Sequence, residues 1–207
     1  SLYGEGLSSH IDASDAKRST FVLGKHISGG IPADDPGGSP VKISSLRGLG
    51  GADSNGFIYT NAQGFQISGL FLSATGIGVE IEGTDGIMSD IAIDMCLSGM
   101  VFRRCQNIVV SNVNIFSPNY AITLMGGCRD IAFSNIMVSY TKYVSVLFGD
   151  VERNIDNILF SNCIFTNNVQ HDTFAGYVHN RASVVSAAFR SCSFRNWPRH
   201  AISHGTG

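Results

Sequence analysis

The chain has 207 residues, enough for one domain with a sizeable core, and its 14 Lys+Arg against 16 Asp+Glu give a formal net charge of −2. With no basic excess to neutralise a run of phosphates, nucleic acid is not an expected partner. Charged residues are only 14 % while Gly reaches 24 residues, so Ser, Asn, Thr and Gly must supply the polar surface. That composition favours turn-rich β-structure, because Asn and Gly serve tight turns and weaken helices.

The first 40 residues read as a capping segment followed by a loop. Asp12, Asp15, Lys17 and Arg18 form a charged stretch, expected to be helical and to cover the start of the domain, and Gly29–Pro40 is a Pro/Gly loop. No secretory leader is recognisable at Ser1. No apolar run approaches the ~18 residues of a membrane span, so membrane insertion is not expected.

From residue 41 to 207 the chain repeats. One phrase recurs as Ile43-Ser44-Ser45-Leu46, Ile67-Ser68-Gly69-Leu70, Met88-Ser89-Asp90-Ile91, Val110-Ser111-Asn112-Val113, Phe133-Ser134-Asn135-Ile136, Phe160-Ser161-Asn162-Cys163 and Phe189-Arg190-Ser191-Cys192. A second block keeps the same phase: Gly78-Val79-Glu80-Ile81, Gly99-Met100-Val101-Phe102, Ala121-Ile122-Thr123-Leu124, Tyr143-Val144-Ser145-Val146, Tyr177-Val178-His179-Asn180 and His200-Ala201-Ile202-Ser203. Each block alternates with period two, the signature of a short strand. Two blocks sharing one period of about 22 residues indicate a solenoid of about seven coils, with equivalent residues stacked ~4.8 Å apart. The column Ser45, Gly69, Asp90, Asn112, Asn135, Asn162, Ser191 is rich in residues that tolerate left-handed backbone, so a sharp bend is expected there on every coil.

The cysteines fall into the same frame. Cys105 and Cys128 each lie six residues before the repeat Ser, while Cys163 and Cys192 share the position after the bend. With Cys96 they lack CxxC spacing, and stacked buried thiols acting as small hydrophobes fit better than zinc ligands or a disulfide framework. No metal or cofactor is expected.

The Asn112, Asn135, Asn162 column, the ~22-residue coil and the Ser-Asn phrase resemble the right-handed parallel β-helix family of pectate lyases, polygalacturonases and bacteriophage tailspikes. Leu2-Tyr3-Gly4-Glu5-Gly6-Leu7 is similar to the G-x-G turn that opens many of these proteins. The resemblance implies an all-β, single-stranded right-handed parallel β-helix with three parallel sheets. The clustered aspartates that serve catalysis in the family's best-known enzymes have no counterpart here.

Outward positions of the second block are the candidate site. With Val79 and Ile81 inward, Glu80 and Glu82 share the outer face about 7 Å apart, a separation compatible with an acid–base carboxylate pair in glycoside cleavage. The bland alternative is two solvated carboxylates that keep the face soluble. Thr123, Ser145 and His179 are expected in line with Glu80 as substrate-binding groups. The long loop carrying His171 and Asp172 leads into the His179 strand, where a polymer would be gripped, although a solvated loop pair is the simpler account of those two residues. On the other faces, Phe71, Ala92, Val109, Phe116, Ala132, Met137 and Leu159 are expected outward beside inward Leu70, Ile91, Val113 and Ile136, and apolar columns on an outer surface point to contact with another chain.

After the strand His200–His204 nothing reads as a cap, so the chain is expected to be part of a longer polypeptide or to have its end covered. These features together favour the body of a homotrimeric viral tailspike or appendage that binds a bacterial surface polysaccharide, on the virion tail or outside the cell, and whether it also degrades that polymer as a glycoside hydrolase or lyase stays open. A secreted monomeric lyase or glycoside hydrolase, and a fibre spacer without catalysis, are the other two readings.

Overall fold

Residues that alternate apolar and polar can bury one side and hydrogen-bond along both edges, and a repeat of such segments stacks like with like. The computed structural model describes residues 2–3, 10–13, 21–23, 41–50, 58–73, 76–149, 154–167, 178–180, 185–196 and 202–204. Their regular structure is entirely β: β1 (Leu2–Tyr3), β2 (His10–Ala13), β3 (Phe21–Leu23), β4 (Val41–Gly50), β5 (Ile58–Thr60), β6 (Phe65–Ser73), β7 (Ile77–Ile81), β8 (Thr84–Asp94), β9 (Ser98–Arg103) and β10 (Gln106–Phe116). They continue as β11 (Tyr120–Met125), β12 (Arg129–Thr141), β13 (Val144–Phe148), β14 (Ile155–Ser161), β15 (Ile164–Asn167), β16 (Val178–Asn180), β17 (Val185–Arg190), β18 (Ser193–Arg195) and β19 (Ile202–His204).

Every strand pairing among the described residues is parallel, and the strands fall into two ladders. The long-strand ladder runs β1-β4-β6-β8-β10-β12-β14-β17, with β2 beside β4 and the β15–β18 pair extending β12. The short-strand ladder runs β3-β5-β7-β9-β11-β13-β16-β19. The chain is therefore a parallel β-solenoid. Three sheets are expected from the repeat, and the structure supplies three faces in two ladders. One left-handed residue folds each long strand without ending its hydrogen bonding, so two faces share one ladder. Asp12, expected in a helical stretch, lies instead in β2, which pairs with β4.

The bend column behaves as its composition demands. All seven residues from Ser45 to Ser191 hold positive φ, between 52° and 62°. Its side chains also bond along the axis: Asn112 Nδ2 donates to Asp90 Oδ1 at 3.2 Å, and Asn135 Nδ2 to Asn112 Oδ1 at 3.2 Å. A second left-handed column, Gly64, Asp85, Asn107, Asp130 and Asn157, opens the long strands. It repeats the ladder chemistry, with Asn107 donating to Asp85 at 2.9 Å and Asn157 to Asp130 at 2.6 Å. Two further corners turn on Met95, Ser117 and Tyr140, and on Arg104 and Gly127.

Inside, like residues stack in columns. Ile43, Ile67, Met88, Val110, Phe133 and Phe160 follow one another in register and are at most 1 % exposed. Phe133, Phe160 and Phe189 stack face to face at 4.6 and 4.7 Å. Each fully buried Ile, Val, Leu or Phe contributes ~1.5–3 kcal/mol, so this interior drives folding. Outside, Val109, Phe116 and Met137 are exposed as the alternation requires, and Phe71, Ala92, Ala132 and Leu159 are half-buried.

If the bend is the controlling element, Asn112→Ala should lower stability by about 1–2 kcal/mol, through the left-handed backbone and the lost ladder bonds. Asn112→Gly, which keeps the backbone at ease, should lose clearly less. Urea unfolding compares the two, and an equal loss would assign the stability to the side-chain ladder alone.

Candidate functional site

The short-strand ladder has an inner side built by Val79, Ile81, Met100, Phe102, Ile122 and Leu124, all members of the core. Opposite them, in register, run Tyr59, Glu80, Val101, Thr123 and Leu147, with the backbones of His179 and Ser203 continuing the column. This outer column is sheltered. Tyr59 is 4 %, Glu80 9 % and Thr123 7 % exposed.

A polar network fills its start. Arg103 Nε donates to Glu80 Oε1 at 2.8 Å, and the Tyr59 hydroxyl donates to Glu82 Oε2 at 2.8 Å. Arg104 Nη2 stands 3.9 Å from Glu82 Oε1. The two carboxylates and two guanidinium groups balance in charge, as burial at this site requires. Burial, then the hydrogen bond to Glu82 and the fields of Glu82 and Glu80, hold the Tyr59 phenol well above the ordinary tyrosine value, with Arg104 opposing. Glu82, Arg103 and Arg104 remain partly open to solvent, so they form the accessible edge of the site.

Arg104 itself has φ 51°, a conformation that costs a long side chain energy. The next coil carries Gly127 at the equivalent corner, where a Cβ would lie 3.2 Å from Arg104 Cγ. The glycine thus makes room for the arginine stem that reaches back toward Glu82.

Glu80 and Glu82 do share the face opposite Val79 and Ile81, but Glu80 is buried and ion-paired rather than solvated. Thr123 and the backbone of His179 lie in the Glu80 column as expected. Ser145 does not. Leu147 pairs with Thr123, and Ser145 falls two positions earlier, in a corner column of Gly78, Gly99 and Ala121. That corner admits only small residues: a Cβ on Gly99 would lie 2.6 Å from the Ala121 carbonyl oxygen and 2.9 Å from Ile115 Cγ2. Ser145 is fully buried there, its Oγ 3.1 Å from Thr141 Oγ1. A slip of two preserves alternation, so periodicity could not detect it. The last block slips by one, and Ser203 rather than Ile202 pairs with His179.

His171 and Asp172 lie outside the described residues, as does the side chain of His179. Tyr59, Arg103 and Arg104 were not anticipated as site residues. The signal was present in the period: Tyr59 precedes Glu80 by one coil, and Arg103 follows Glu82 by one. Among the described residues, no group of three or more His, Cys, Asp or Glu is arranged to hold a metal ion.

No protein-family model matches the chain, and no curated protein matches it in sequence. Among solved structures, it is similar to one described as "Crystal structure of Agl-KA catalytic domain", with a TM-score of 0.62 at 12 % identity. The match covers 95 % of this chain and 45 % of that one, so the chain spans under half the length of its neighbour. The likeness is one of fold, and it agrees with the parallel β-helix class that the ladders define.

The Tyr59 environment has a readable consequence. A phenol whose folded pKa is raised adds stability that is complete below its unfolded value of 10.0 and is lost as pH climbs beyond it. Tyr59→Phe should therefore flatten the alkaline loss of stability above about pH 10. Denaturant unfolding at pH 8 and pH 11 checks it, and an unchanged difference between the two pH values would refute it.

Proposed function

We propose that this chain is a carbohydrate-active β-helix, the body of a homotrimeric viral tailspike or similar appendage that holds a bacterial surface polysaccharide outside the cell. The polymer lies along the short-strand ladder and meets the accessible edge made by Glu82, Arg103 and Arg104. The observation that carries this reading is the charge-balanced cluster on a rigid ladder, with Glu80 bonded to Arg103, Glu82 bonded to Tyr59, and Arg104 3.9 Å from Glu82. The two hydrogen-bonded carboxylates are held before any ligand arrives, which lowers the entropy cost of gripping hydroxyl groups. Paired charges give no attraction for a strongly anionic polymer, so a neutral sugar chain suits the site best. The fold shared with a catalytic domain is a second support.

Catalysis on this reading falls to Glu80 and Glu82, the pair on one face, with Thr123, His179, His171 and Asp172 along or beside the bound polymer. Arg103 and Tyr59 act as positioning residues for the two carboxylates. Ser145 is omitted, being sealed inside a corner. The trimer draws on the exposed faces of the long strands: Ile87 and Val109 are 53 % and 48 % exposed, and they stack in register with Ala132 and Leu159. Water-facing apolar columns of this kind become favourable when three copies bury them together.

Light scattering should give a mass three times the 22.1 kDa of one chain, whereas a monomer would count against the appendage and favour a secreted enzyme. In an assay of neutral bacterial polysaccharides by size-exclusion chromatography, Glu80→Gln with Glu82→Gln should abolish shortening of the polymer while leaving its retention on the protein intact. Unchanged shortening would remove the pair from catalysis, and loss of both would recast it as part of the binding surface.

A further inference from the structure

We propose that Cys163 and Cys192 form a cross-coil dithiol that closes to a disulfide in an oxidising medium, while the similarly stacked Cys105 and Cys128 stay reduced. All five cysteines are free thiols in the structure. The register pairs of β15 with β18 begin at Ile164 with Ser193, which sets Cys163 directly beside Cys192 on the next coil. Parallel neighbours stand ~4.8 Å apart, inside the Cα range of disulfides. The two side chains also share one orientation: Cys163 Sγ donates to the Ser161 carbonyl at 3.3 Å, and Cys192 Sγ to the Arg190 carbonyl at 3.4 Å. Each is the carbonyl two residues back, so the thiols lie one above the other and rotation about χ1 brings the sulfurs together.

What separates the two pairs is access. Cys105 and Cys128 are fully buried, and their column continues Gly83 within the interior. Cys163 is buried too, but Cys192 is partly exposed and can meet an oxidant. With glutathione disulfide as that oxidant, the Cys192 thiolate attacks one of its sulfurs and expels one glutathione thiolate. Cys163 then attacks the Cys192 sulfur of the mixed disulfide and expels the second. The protein loses two protons and two electrons, and one glutathione disulfide becomes two glutathione molecules. Burial, first among the causes, and the neighbouring Cys192 thiol push the Cys163 thiol up to about 12, so the second step is the slow one. The bond joins the coil of β14 and β15 to that of β17 and β18, closing a loop that contains His171, Asp172 and His179.

The test incubates the folded chain with glutathione disulfide, caps remaining thiols with N-ethylmaleimide and maps the peptides without reduction. The expected product is a Cys163–Cys192 linkage with Cys96, Cys105 and Cys128 capped only after unfolding. It should melt roughly 5 °C or more above the reduced protein. Cys192→Ser should form no intrachain disulfide and show no such difference in melting. Recovery of Cys163 and Cys192 both capped, or of a Cys105–Cys128 linkage at the same rate, overturns the proposal.

Discussion

One left-handed residue per coil governs this molecule. A strand of ten or more residues turns sharply around a narrow core where one residue adopts positive φ, and doing so at the same place on each coil keeps the ladder bonds in step. Ser45, Gly69, Asp90, Asn112, Asn135, Asn162 and Ser191 perform that turn. Once it is fixed, the apolar residues that flank it, Met88 and Ile91, Val110 and Val113, Phe133 and Ile136, point inward, while the bend side chains themselves face solvent. The amide and carboxylate side chains at the bend then bond along the axis, so the residue that bends the chain also couples one coil to the next.

The same rule explains how much could be read from the sequence. A column of Asn, Asp, Gly and Ser at a steady spacing advertises left-handed backbone, because few other residues adopt it at low cost. Met95, Tyr140 and Arg104 turn in the same way, yet nothing in their chemistry announces it, and only neighbouring coils impose it. Periodicity likewise sorted inner from outer faces correctly for Val109, Phe116 and Met137, since one face is apolar in its entirety. It failed for Ser145, where an alignment two residues out leaves the apolar pattern intact.

The candidate site shows a related limit. Glu80 and Glu82 were visible because they interrupt an apolar block. Their partners were not, since Tyr59 meets Glu82, and Arg103 meets Glu80, on a diagonal between coils. Such contacts depend on side-chain length as much as on register. Glu80, an outward carboxylate by its place in the alternation, is a buried member of an ion pair. Its surroundings now constrain any chemistry assigned to it.

The ladder also bears on how the chain finds its structure. From Val41 onward, register partners are separated by only 21 to 32 residues in the chain, Tyr59 with Glu80 and Phe148 with Asn180 marking the extremes. Sandwiches and closed barrels must join distant segments before any contact rewards the search, which is why they fold slowly. Here two adjacent coils can meet by closing one short loop, and their exposed edges then offer a template to the next. Folding by outward growth from any such pair follows, and so does a hazard: each growing edge is as ready to accept a strand from a neighbouring molecule as from its own chain.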